Sequence, residues 1–300
     1  MENRNYILAI GELLIDGITS TAVDNLSQAT SMNIRPGGST ANFCRYLKRC
    51  RTDAEIVAAV GNDGLGEILL RKLKEDGLST DHVLQLDDRV TSMVVVAKTA
   101  GTPDFLPYRD ADKFIAPIDE ALIARSSMVH STAFALSHEP ARTHILEAFN
   151  SASAQQIPVS VDWNYAEKIW GRNNDAQQVF KQIQIHKPLF KFSMDDIQRF
   201  LGKALSIEDA RYYLQDLPAT AICLTCGPEG VYYRDITGDW KHVAAKKIHI
   251  RSATGAGDAF WAGFISAWHK KYSLEQCVIT GVETAAIKLE GKWHAGVAGS

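Results

Sequence analysis

The chain has 300 residues, of which 46% are hydrophobic and 22% are charged. This composition describes a globular protein with a large core and excludes a disordered chain, a coiled coil and a small disulfide scaffold. With 32 Lys and Arg against 35 Asp and Glu, the formal net charge is −3, so the sequence lacks the basic field that is typical of nucleic-acid binding. We therefore expect a small-molecule partner and no nucleic acid.

The five cysteines are few and odd in number, which is typical of a reducing compartment. Cys223 and Cys226 form a C-x-x-C within an apolar run that predicts a buried strand. Residues three apart on a strand point to opposite faces, so two small core residues are favoured over a redox or metal motif. The chain also lacks the run of ~18 apolar residues that a transmembrane helix needs. We expect a cytoplasmic protein without membrane contact.

Short apolar runs alternate with helix-period stretches along most of the chain. In chain order, the sequence predicts strand 6–10, helix 39–50, strand 55–60, helix 65–76, helix 118–126, strand 128–131, helix 141–155, strand 159–161, strand 189–192, helix 207–214 and strand 221–225. This alternation predicts an α/β fold with a mostly parallel sheet and helices on both faces.

Two regions, residues 15–35 and 83–108, break this alternation because they show strand-like patterns without an intervening helix. Strands that lack crossover helices usually pair antiparallel, so we expect the two regions to form a small separate sheet. A sheet whose chain leaves and re-enters the main domain is well placed to act as a lid.

The segment 253–268 carries the strongest chemical signal. Its second half is apolar on nearly every side, which predicts a buried helix. Gly255, Ala256 and Gly257 lie at the start of that helix, where free backbone N–H groups and the helix dipole favour an anion. Asp258 adds a carboxylate beside this anion site, an arrangement suited to removing a proton from a hydroxyl while the amides stabilise a transferred phosphoryl group. The simpler alternative is an Asp that only stabilises the first turn of the helix.

Five segments in the same order resemble the ribokinase/PfkB family of sugar kinases, in particular its fructokinase-like members: residues 11–16, 36–42, 60–66, 225–230 and 254–258. The resemblance extends over nearly the whole chain. It implies a ribokinase-like three-layer α/β/α domain over residues 1–300, with a small β-sheet lid formed by insertions at about 12–36 and 84–114. It also implies ATP-dependent phosphorylation of a sugar hydroxyl, with Asp258 as the general base.

The resemblance assigns the sugar site to Asp16, Gly37, Gly38 and Asn42. Carboxylate and amide groups suit paired sugar hydroxyls, and glycines let the backbone approach a ligand closely. Without the resemblance, a turn Asp, an ordinary glycine turn and a helix N-terminal Asn would be the preferred interpretations.

The identity of the sugar depends on two further segments. Residues 105–112 resemble the lid segment of fructokinase-like and 2-keto-3-deoxygluconate-kinase-like members, in which Arg109 would face the sugar. The alternative for Arg109 is a solvated ion-pair cluster with Asp110 and Asp112. Fructose or a related ketose is favoured, and 2-keto-3-deoxygluconate is the alternative.

Residues 162–170 resemble the fructokinase-type Asp-Pro-Asn-x-Arg stretch and retain Asp162 and Asn164 as candidate sugar ligands. Trp163 stands in place of the usual Pro and Ala166 in place of the usual Arg. The missing Arg removes one cationic contact near the sugar, so this segment does not identify which sugar is the substrate.

The resemblance implies that the nucleotide contacts Thr225, Gly227, Gly230, Lys191 and Ser193. Asp196 would bind Mg²⁺ through water, since that ion usually keeps several waters. Ser193 and Asp196 also fit a helix cap, and both roles are compatible. Ser252 stands where family members usually have an Asp that helps to bind a monovalent cation, so we expect weak or absent K⁺ activation.

Two other functions were weighed against a kinase. A sugar- or nucleotide-binding regulatory protein with weak catalysis is consistent with Ser252, Ala166 and the Ser193/Asp196 pair, whereas Asp258 argues against it. A nicotinamide-dependent dehydrogenase requires a glycine fingerprint directly after the first strand, which this sequence does not have. The exposed edge and apolar face expected of the lid predict a possible homodimer through it.

Overall fold

A computed structural model describes residues 5–99, 104–171, 175–252 and 254–294. The described strands are β1 Tyr6–Ile10, β2 Leu14–Ala22, β3 Met32–Gly37, β4 Ala54–Gly61, β5 Val83–Leu86, β6 Met93–Lys98, β7 Phe105–Tyr108, β8 Ser126–Thr132, β9 Val159–Asp162, β10 Leu189–Ser193, β11 Ala221–Thr225, β12 Val231–Asp235 and β13 Lys241–Val243. The described helices are α1 Ser39–Arg49, α2 Gly64–Glu75, α3 Glu120–Arg125, α4 Ala141–Ala154, α5 Glu167–Trp170, α6 Ala176–Gln184, α7 Met194–Leu201, α8 Ile207–Leu214, α9 Ala256–His269 and α10 Leu274–Leu289.

The main sheet has nine strands in the order β13-β12-β11-β10-β9-β8-β1-β4-β5. Its neighbours from β11 to β5 pair parallel, and only β12 and β13 add antiparallel strands at one edge. One hydrophobic core joins this sheet to α3 through α8, and a second core joins the opposite face to α1, α2, α9 and α10. The predicted three-layer α/β/α architecture is therefore confirmed.

The two cysteines of the C-x-x-C lie in different cores, Cys223 in the one with α9 and Cys226 in the other. Both are buried and free, as expected for residues three apart near the end of a strand. No helix among the described residues has the length and apolar composition needed to cross a bilayer.

The second sheet has four strands in the order β3-β2-β6-β7. β3 pairs antiparallel with β2 and β7 pairs antiparallel with β6, but β2 and β6 are parallel, so the expectation of an antiparallel sheet is wrong at its centre. The reason is the connection between β2 and β6, which passes through α1, β4, α2 and β5 and is long enough for a crossover.

One predicted boundary of this second sheet is also wrong. Residues 83–86 form β5, which pairs with β4 at the edge of the main sheet. The alternation of a strand tells which residues share a face, but it does not tell which of two sheets the strand joins. The described strands of the small sheet lie within residues 14–37, 93–98 and 105–108.

The sequence did not predict α5, α6, α10, or the edge strands β12 and β13. The 16 residues of α10 include β-branched and small side chains, which carry a weak helical signal. The helix packs closely along α9, where Gly263 and Gly281 allow contact: a β-carbon at Gly281 would lie 2.7 Å from the Phe260 ring. The helical conformation of α10 therefore depends on its tertiary packing against α9.

Candidate active site

Two cavities meet at the N-terminus of α9. The first, which we call the sugar pocket, has a volume of about 300 Å³ and is lined by Glu12, Leu14, Asp16, Gly38, Ser39, Asn42, Val94, Phe134 and residues 254–258. The second, which we call the nucleotide pocket, has a volume of about 180 Å³ and lies between β11, β12, α9 and α10. Both cavities are lined by Ala256 and Gly257, so ligands in the two pockets would meet at the first turn of the helix.

The first turn of α9 is open because its residues are small. Gly255 has a φ of +76°, a left-handed conformation that favours glycine. At Gly257 a β-carbon would lie 3.0 Å from the Lys191 Nζ. The backbone N–H groups of this first turn have no partner within the helix, as at every α-helix start, and Ala256 and Gly257 border both pockets. The arrangement suits a phosphoryl group.

Asp258 lies in this turn but does not cap the helix. Its Oδ2 accepts a hydrogen bond of 3.0 Å from Asn42 Nδ2, and Asn42 Oδ1 in turn accepts one of 2.9 Å from Arg45 Nη1. Arg45 is fixed by an ion pair of 3.0 Å with Asp76. The interpretation of Asp258 as only a helix-stabilising residue is therefore disfavoured, because α1 orients its carboxylate toward the sugar pocket.

The protonation of Asp258 is set by its surroundings. Burial and, after it, the nearby Asp162 carboxylate together raise the pKa of this carboxyl to about 7, against the opposing effects of Lys191 and the Asn42 amide. A carboxylate with a pKa near neutrality is suited to accept a proton from a hydroxyl and to release it again.

Asp16 lies on β2 at the wall of the sugar pocket, and Gly37 at the end of β3 and Gly38 at the N-cap of α1 pack against this region. A β-carbon at Gly37 would lie 2.2 Å from Asp16 Oδ2, and one at Gly38 would lie 2.5 Å from the Glu12 carbonyl oxygen. Gly38 also has a φ of +95°. Burial raises the pKa of Asp16 to about 6, with Arg45 opposing the shift. The glycines are thus required by the close approach of backbone to the pocket wall.

Glu12 is a site residue that the sequence reasoning missed. It is 1% exposed, and its carboxylate accepts hydrogen bonds from the Ser39 amide (2.8 Å), the Thr40 hydroxyl (3.0 Å) and the Thr132 hydroxyl (2.8 Å). Burial raises its pKa. The available signal was a charged residue directly after a buried parallel strand, at the edge where ligands bind in such sheets.

Asp162 and Lys191 form a buried ion pair beneath the first turn of α9. They lie opposite each other on the neighbouring parallel strands β9 and β10, and Lys191 Nζ is 2.9 Å and 3.0 Å from the two carboxylate oxygens. Burial lowers the pKa of Lys191, but the carboxylates of Asp162 and Asp196 outweigh burial and raise it. Lys191 thus stays charged just below Gly257.

Asp162 and Asn164, predicted as sugar ligands, lie behind the wall of the sugar pocket rather than in it. The carboxylate of Asp162 is held by Lys191. Asn164 donates to the Ser39 hydroxyl (2.9 Å) and accepts from the Phe134 amide (3.2 Å). Asn164 therefore positions two residues that do line the pocket. The unusual Trp163 between them is fully buried among aromatic rings.

Arg109 is buried, so its interpretation as part of a solvated ion-pair cluster is wrong. The Arg109 and Asp112 side chains are 5% and 0% exposed, and the two form an ion pair. The same guanidinium contacts Ser137 and His138 and lies 4.1 Å from the centre of the Phe134 ring. Arg109 does not line the sugar pocket; it supports Phe134, which does.

Ser193 and Asp196 form the predicted cap of α7. Ser193 Oγ accepts from the Asp196 amide (3.1 Å) and Asp196 Oδ2 accepts from the Ser193 amide (2.8 Å). Burial raises the pKa of Asp196 to about 6, and Lys191 opposes the shift. The hydrogen bonds to described residues use only one oxygen of Asp196, which leaves Oδ1 for a water of a hydrated Mg²⁺. The residues present therefore fit this ion through water.

Three predicted nucleotide ligands, Thr225, Gly227 and Gly230, line the nucleotide pocket. Lys191 and Ser193 do not line it. Most of the remaining wall is apolar, from Val231, Phe260, Val282, Ala286 and Leu289. A flat base would fit this apolar part, with its phosphates toward the first turn of α9.

Residues 4–292 match the family described as pfkB family carbohydrate kinase. The ATP-dependent 6-phosphofructokinase of Thermoanaerobacterium thermosaccharolyticum is 34% identical over 96% of this chain and 89% of its own length. The 2-dehydro-3-deoxygluconokinase of Haemophilus influenzae is 26% identical over 85% of this chain and 86% of its own length.

Among solved structures, the fructokinase of Halothermothrix orenii superposes with a TM-score of 0.83 at 32% sequence identity, covering 93% of this chain and 98% of the other. This similarity confirms the ribokinase-like fold with its large sheet and small separate sheet. The family match spans nearly the whole chain and includes both pockets. The chain therefore belongs to the pfkB family of carbohydrate kinases.

Proposed function

We propose that this kinase transfers the γ-phosphoryl group of ATP to a hydroxyl of fructose or a related ketose. The observation that carries the proposal is the meeting of the two pockets at the first turn of α9, where Asp258 lies beside unpartnered amides. Relatives named fructokinase and 6-phosphofructokinase support a ketose as the acceptor.

In this mechanism the sugar pocket binds the acceptor through Asp16, Gly38 and Asn42. Asp258 accepts the proton of the attacking hydroxyl as its oxygen forms a bond to the γ-phosphorus. The bond from the γ-phosphorus to the oxygen bridging it to the β-phosphate breaks, and ADP leaves with that oxygen. The amides of residues 255–257 stabilise the charge on the transferred group.

Asn42 links acceptor binding to the base. Its amide donates to Asp258 while its carbonyl oxygen is held by Arg45, so the Asp258 oxygen that remains free faces the pocket. Mg²⁺, when bound through water at Asp196, neutralises charge on the phosphates of ATP. Lys191, fixed by Asp162, places a permanent positive charge just below the transfer site.

The small sheet, formed by β2, β3, β6 and β7, is proposed as a lid over the sugar. It contributes Leu14, Asp16 and Val94 to the pocket wall. Closure over a bound sugar would exclude water and suppress hydrolysis of ATP.

Two further properties of the chain support proposals about its cellular location and its oligomeric state. The five cysteines are free, which supports a reducing, cytoplasmic location. Exposed apolar residues on β3 and β7, Met32, Ile34, Leu106 and Tyr108, support a homodimer formed through the small sheet. Light scattering at micromolar concentration tests the dimer, and a monomer would contradict it.

Phosphorylation of 2-keto-3-deoxygluconate is the alternative, favoured by the similarity to the Haemophilus influenzae relative. A binding protein with weak catalysis is the second alternative. A panel of sugars, assayed in parallel for ADP release and for thermal stabilisation, separates the three. Turnover with a ketose supports the proposal, turnover with 2-keto-3-deoxygluconate alone supports the first alternative, and stabilisation without turnover supports the second.

The variant Asp258→Asn tests the mechanism within the same assay. It keeps the hydrogen-bonding shape of the side chain but cannot accept a proton. We expect turnover to fall by at least about 100-fold while thermal stabilisation by the sugar persists. Near-normal turnover would contradict the role of Asp258.

A further inference from the structure

A third cavity, of about 350 Å³, opens beside the sugar pocket and shares four wall residues with it: Asp16, Asn42, Thr254 and Gly255. The rest of its wall includes Arg35 of β3, Arg49 of α1 and Lys288 of α10. We call it the cationic cavity and define it by these last three residues. Because they come from three separate elements, only the tertiary structure brings the charges together.

The three cations have no carboxylate partner within the part of the chain that the structure describes. Among the described residues, none of Arg35, Arg49 and Lys288 forms an ion pair or a hydrogen bond. Other cations of α1 are paired, since Arg45 binds Asp76 at 3.0 Å and Lys48 binds Asp53 at 2.7 Å. The cationic cavity thus holds three positive charges that the described part of the protein leaves without a counter-ion in direct contact.

Aromatic rings fix part of the arrangement. The Arg49 guanidinium carbon lies 5.2 Å from the Trp293 ring centre and 5.7 Å from the Tyr46 ring centre. These contacts hold the guanidinium at the cavity wall and leave its N–H groups free to donate. Arg35 lies across from Asp16 in the register of β2 and β3, at the boundary with the sugar pocket.

The three charges also affect one another. The pKa of Lys288 is lowered, first by burial and then by Arg49 and Arg35, while Asp258 opposes the shift. Like charges that repel in a partly enclosed space are stabilised by a bound anion of high charge. A phosphate monoester carries nearly two negative charges and three acceptor oxygens, which suits two planar guanidinium forks and one ammonium group better than a carboxylate does.

We propose that the cationic cavity binds a phosphate group carried by the acceptor sugar, so that the preferred acceptor is a phosphorylated ketose such as fructose 6-phosphate. This inference rests on the proposed function and names its substrate class. The anion belongs to the acceptor rather than to ATP because the cationic cavity shares four residues with the sugar pocket and none with the nucleotide pocket.

The test is steady-state kinetics at saturating ATP with fructose and fructose 6-phosphate, on the wild type and on Arg35→Gln and Arg49→Gln. We expect the wild type to prefer fructose 6-phosphate, and each variant to lose about tenfold or more in kcat/KM for it, mainly through KM. The loss with fructose is expected to be smaller. Arg71→Gln, at an exposed position of α2, is the matched control and is expected to leave the ratio of the two kcat/KM values unchanged.

Three results would overturn the inference while the kinase proposal stands. The first is turnover of fructose without preference for fructose 6-phosphate. The second is an equal loss with both sugars, or a rise in the KM for ATP alone, in the arginine variants. The third is a preference for 2-keto-3-deoxygluconate that depends on the same arginines, which would assign the cavity to a carboxylate.

Absence of any turnover in the wild type would count against the proposed function instead. Thermal stabilisation by fructose 6-phosphate then tests, independently of turnover, whether the cationic cavity binds the phosphate group. Stabilisation of the wild type that is lost in Arg35→Gln and Arg49→Gln would support the inference, and equal or absent stabilisation in all three proteins would contradict it.

Discussion

Asp258 illustrates how the environment of one side chain sets its chemistry. Burial and, after it, the nearby Asp162 carboxylate raise its pKa to about 7, and the group must be ionised to accept a proton. We therefore expect kcat/KM to fall below pH 7, in proportion to the fraction of Asp258 that is protonated. A pH–rate profile in the free-enzyme regime measures this acid limb.

The matched variant for this profile is Asp162→Asn. It removes the negative charge that raises the pKa of Asp258 and keeps the positive charge of Lys191 that lowers it. The pKa of Asp258 should therefore fall. The acid limb of the variant is therefore expected at lower pH than in the wild type. An acid limb at the same or at higher pH than in the wild type would contradict this electrostatic explanation.

Glu12 offers a test of positioning. Its carboxylate orients the Ser39 amide and the Thr40 and Thr132 hydroxyls around the sugar pocket. In Glu12→Gln one acceptor oxygen becomes a donor, so we expect about a tenfold rise in the KM for the sugar and little change in the KM for ATP. Initial-rate kinetics with each substrate varied in turn measures the two constants. Glu75→Gln, at an exposed position of α2, serves as the control, and an equal rise in both KM values would argue for a general structural effect.

Ser252 determines the expected response to monovalent cations. It stands in place of the Asp that family members usually have, and its neighbour Arg251 is also not acidic. We expect turnover to be nearly equal in K⁺, Na⁺ and choline buffers of the same ionic strength. A several-fold activation by K⁺ would contradict this expectation.

At the scale of elements, α9 and α10 are joined by two glycines that allow close packing. A β-carbon at Gly281 would lie 2.7 Å from the ring and 2.8 Å from the carbonyl oxygen of Phe260. We expect Gly281→Ala to lower the free energy of unfolding by about 1–3 kcal/mol, because the helices have to separate. Chemical denaturation measures this change.

Gly64→Ala is the control for the same experiment, because no heavy atom lies within 4 Å of a β-carbon at that position. Without a clash, alanine in a helix is expected to be neutral or slightly stabilising. Equal stabilities of the two variants would show that the Gly281 contact does not limit the packing of α10.

At the scale of the whole molecule, the small sheet lies over one end of the sugar pocket and is tied to the main domain through the chain on either side of it. If it acts as a lid, a bound sugar and a non-hydrolysable ATP analogue should slow amide hydrogen exchange in residues 14–37 and 93–98. Exchange in the central strands β1 and β8 should change little, since they are already buried. Unchanged exchange in the small sheet would contradict the lid.

Much of the architecture followed from local patterns. Buried parallel strands such as β1 and β11 are continuous apolar runs, and α1 and α2 have periodic apolar faces, so these elements were predicted to within a few residues. Asp258 was also identified from a local pattern, because small residues just before a buried helix indicate an anion site beside this carboxylate. These features depend on residues that are neighbours in the chain, so the sequence alone is enough to predict them.

The remaining features depend on residues that are distant in the chain. Glu12 acquires its role only when Ser39, Thr40 and Thr132 surround it, and Arg109 is directed to Phe134 by its burial against Asp112. Likewise, Arg35, Arg49 and Lys288 are ordinary charged residues in the sequence and form one cationic cavity only after folding. The sequence by itself determined the family and the layers, and it predicted Asp258 as the candidate general base. The tertiary structure decided which side chains share a cavity, because burial and electrostatic interaction depend on distance in space.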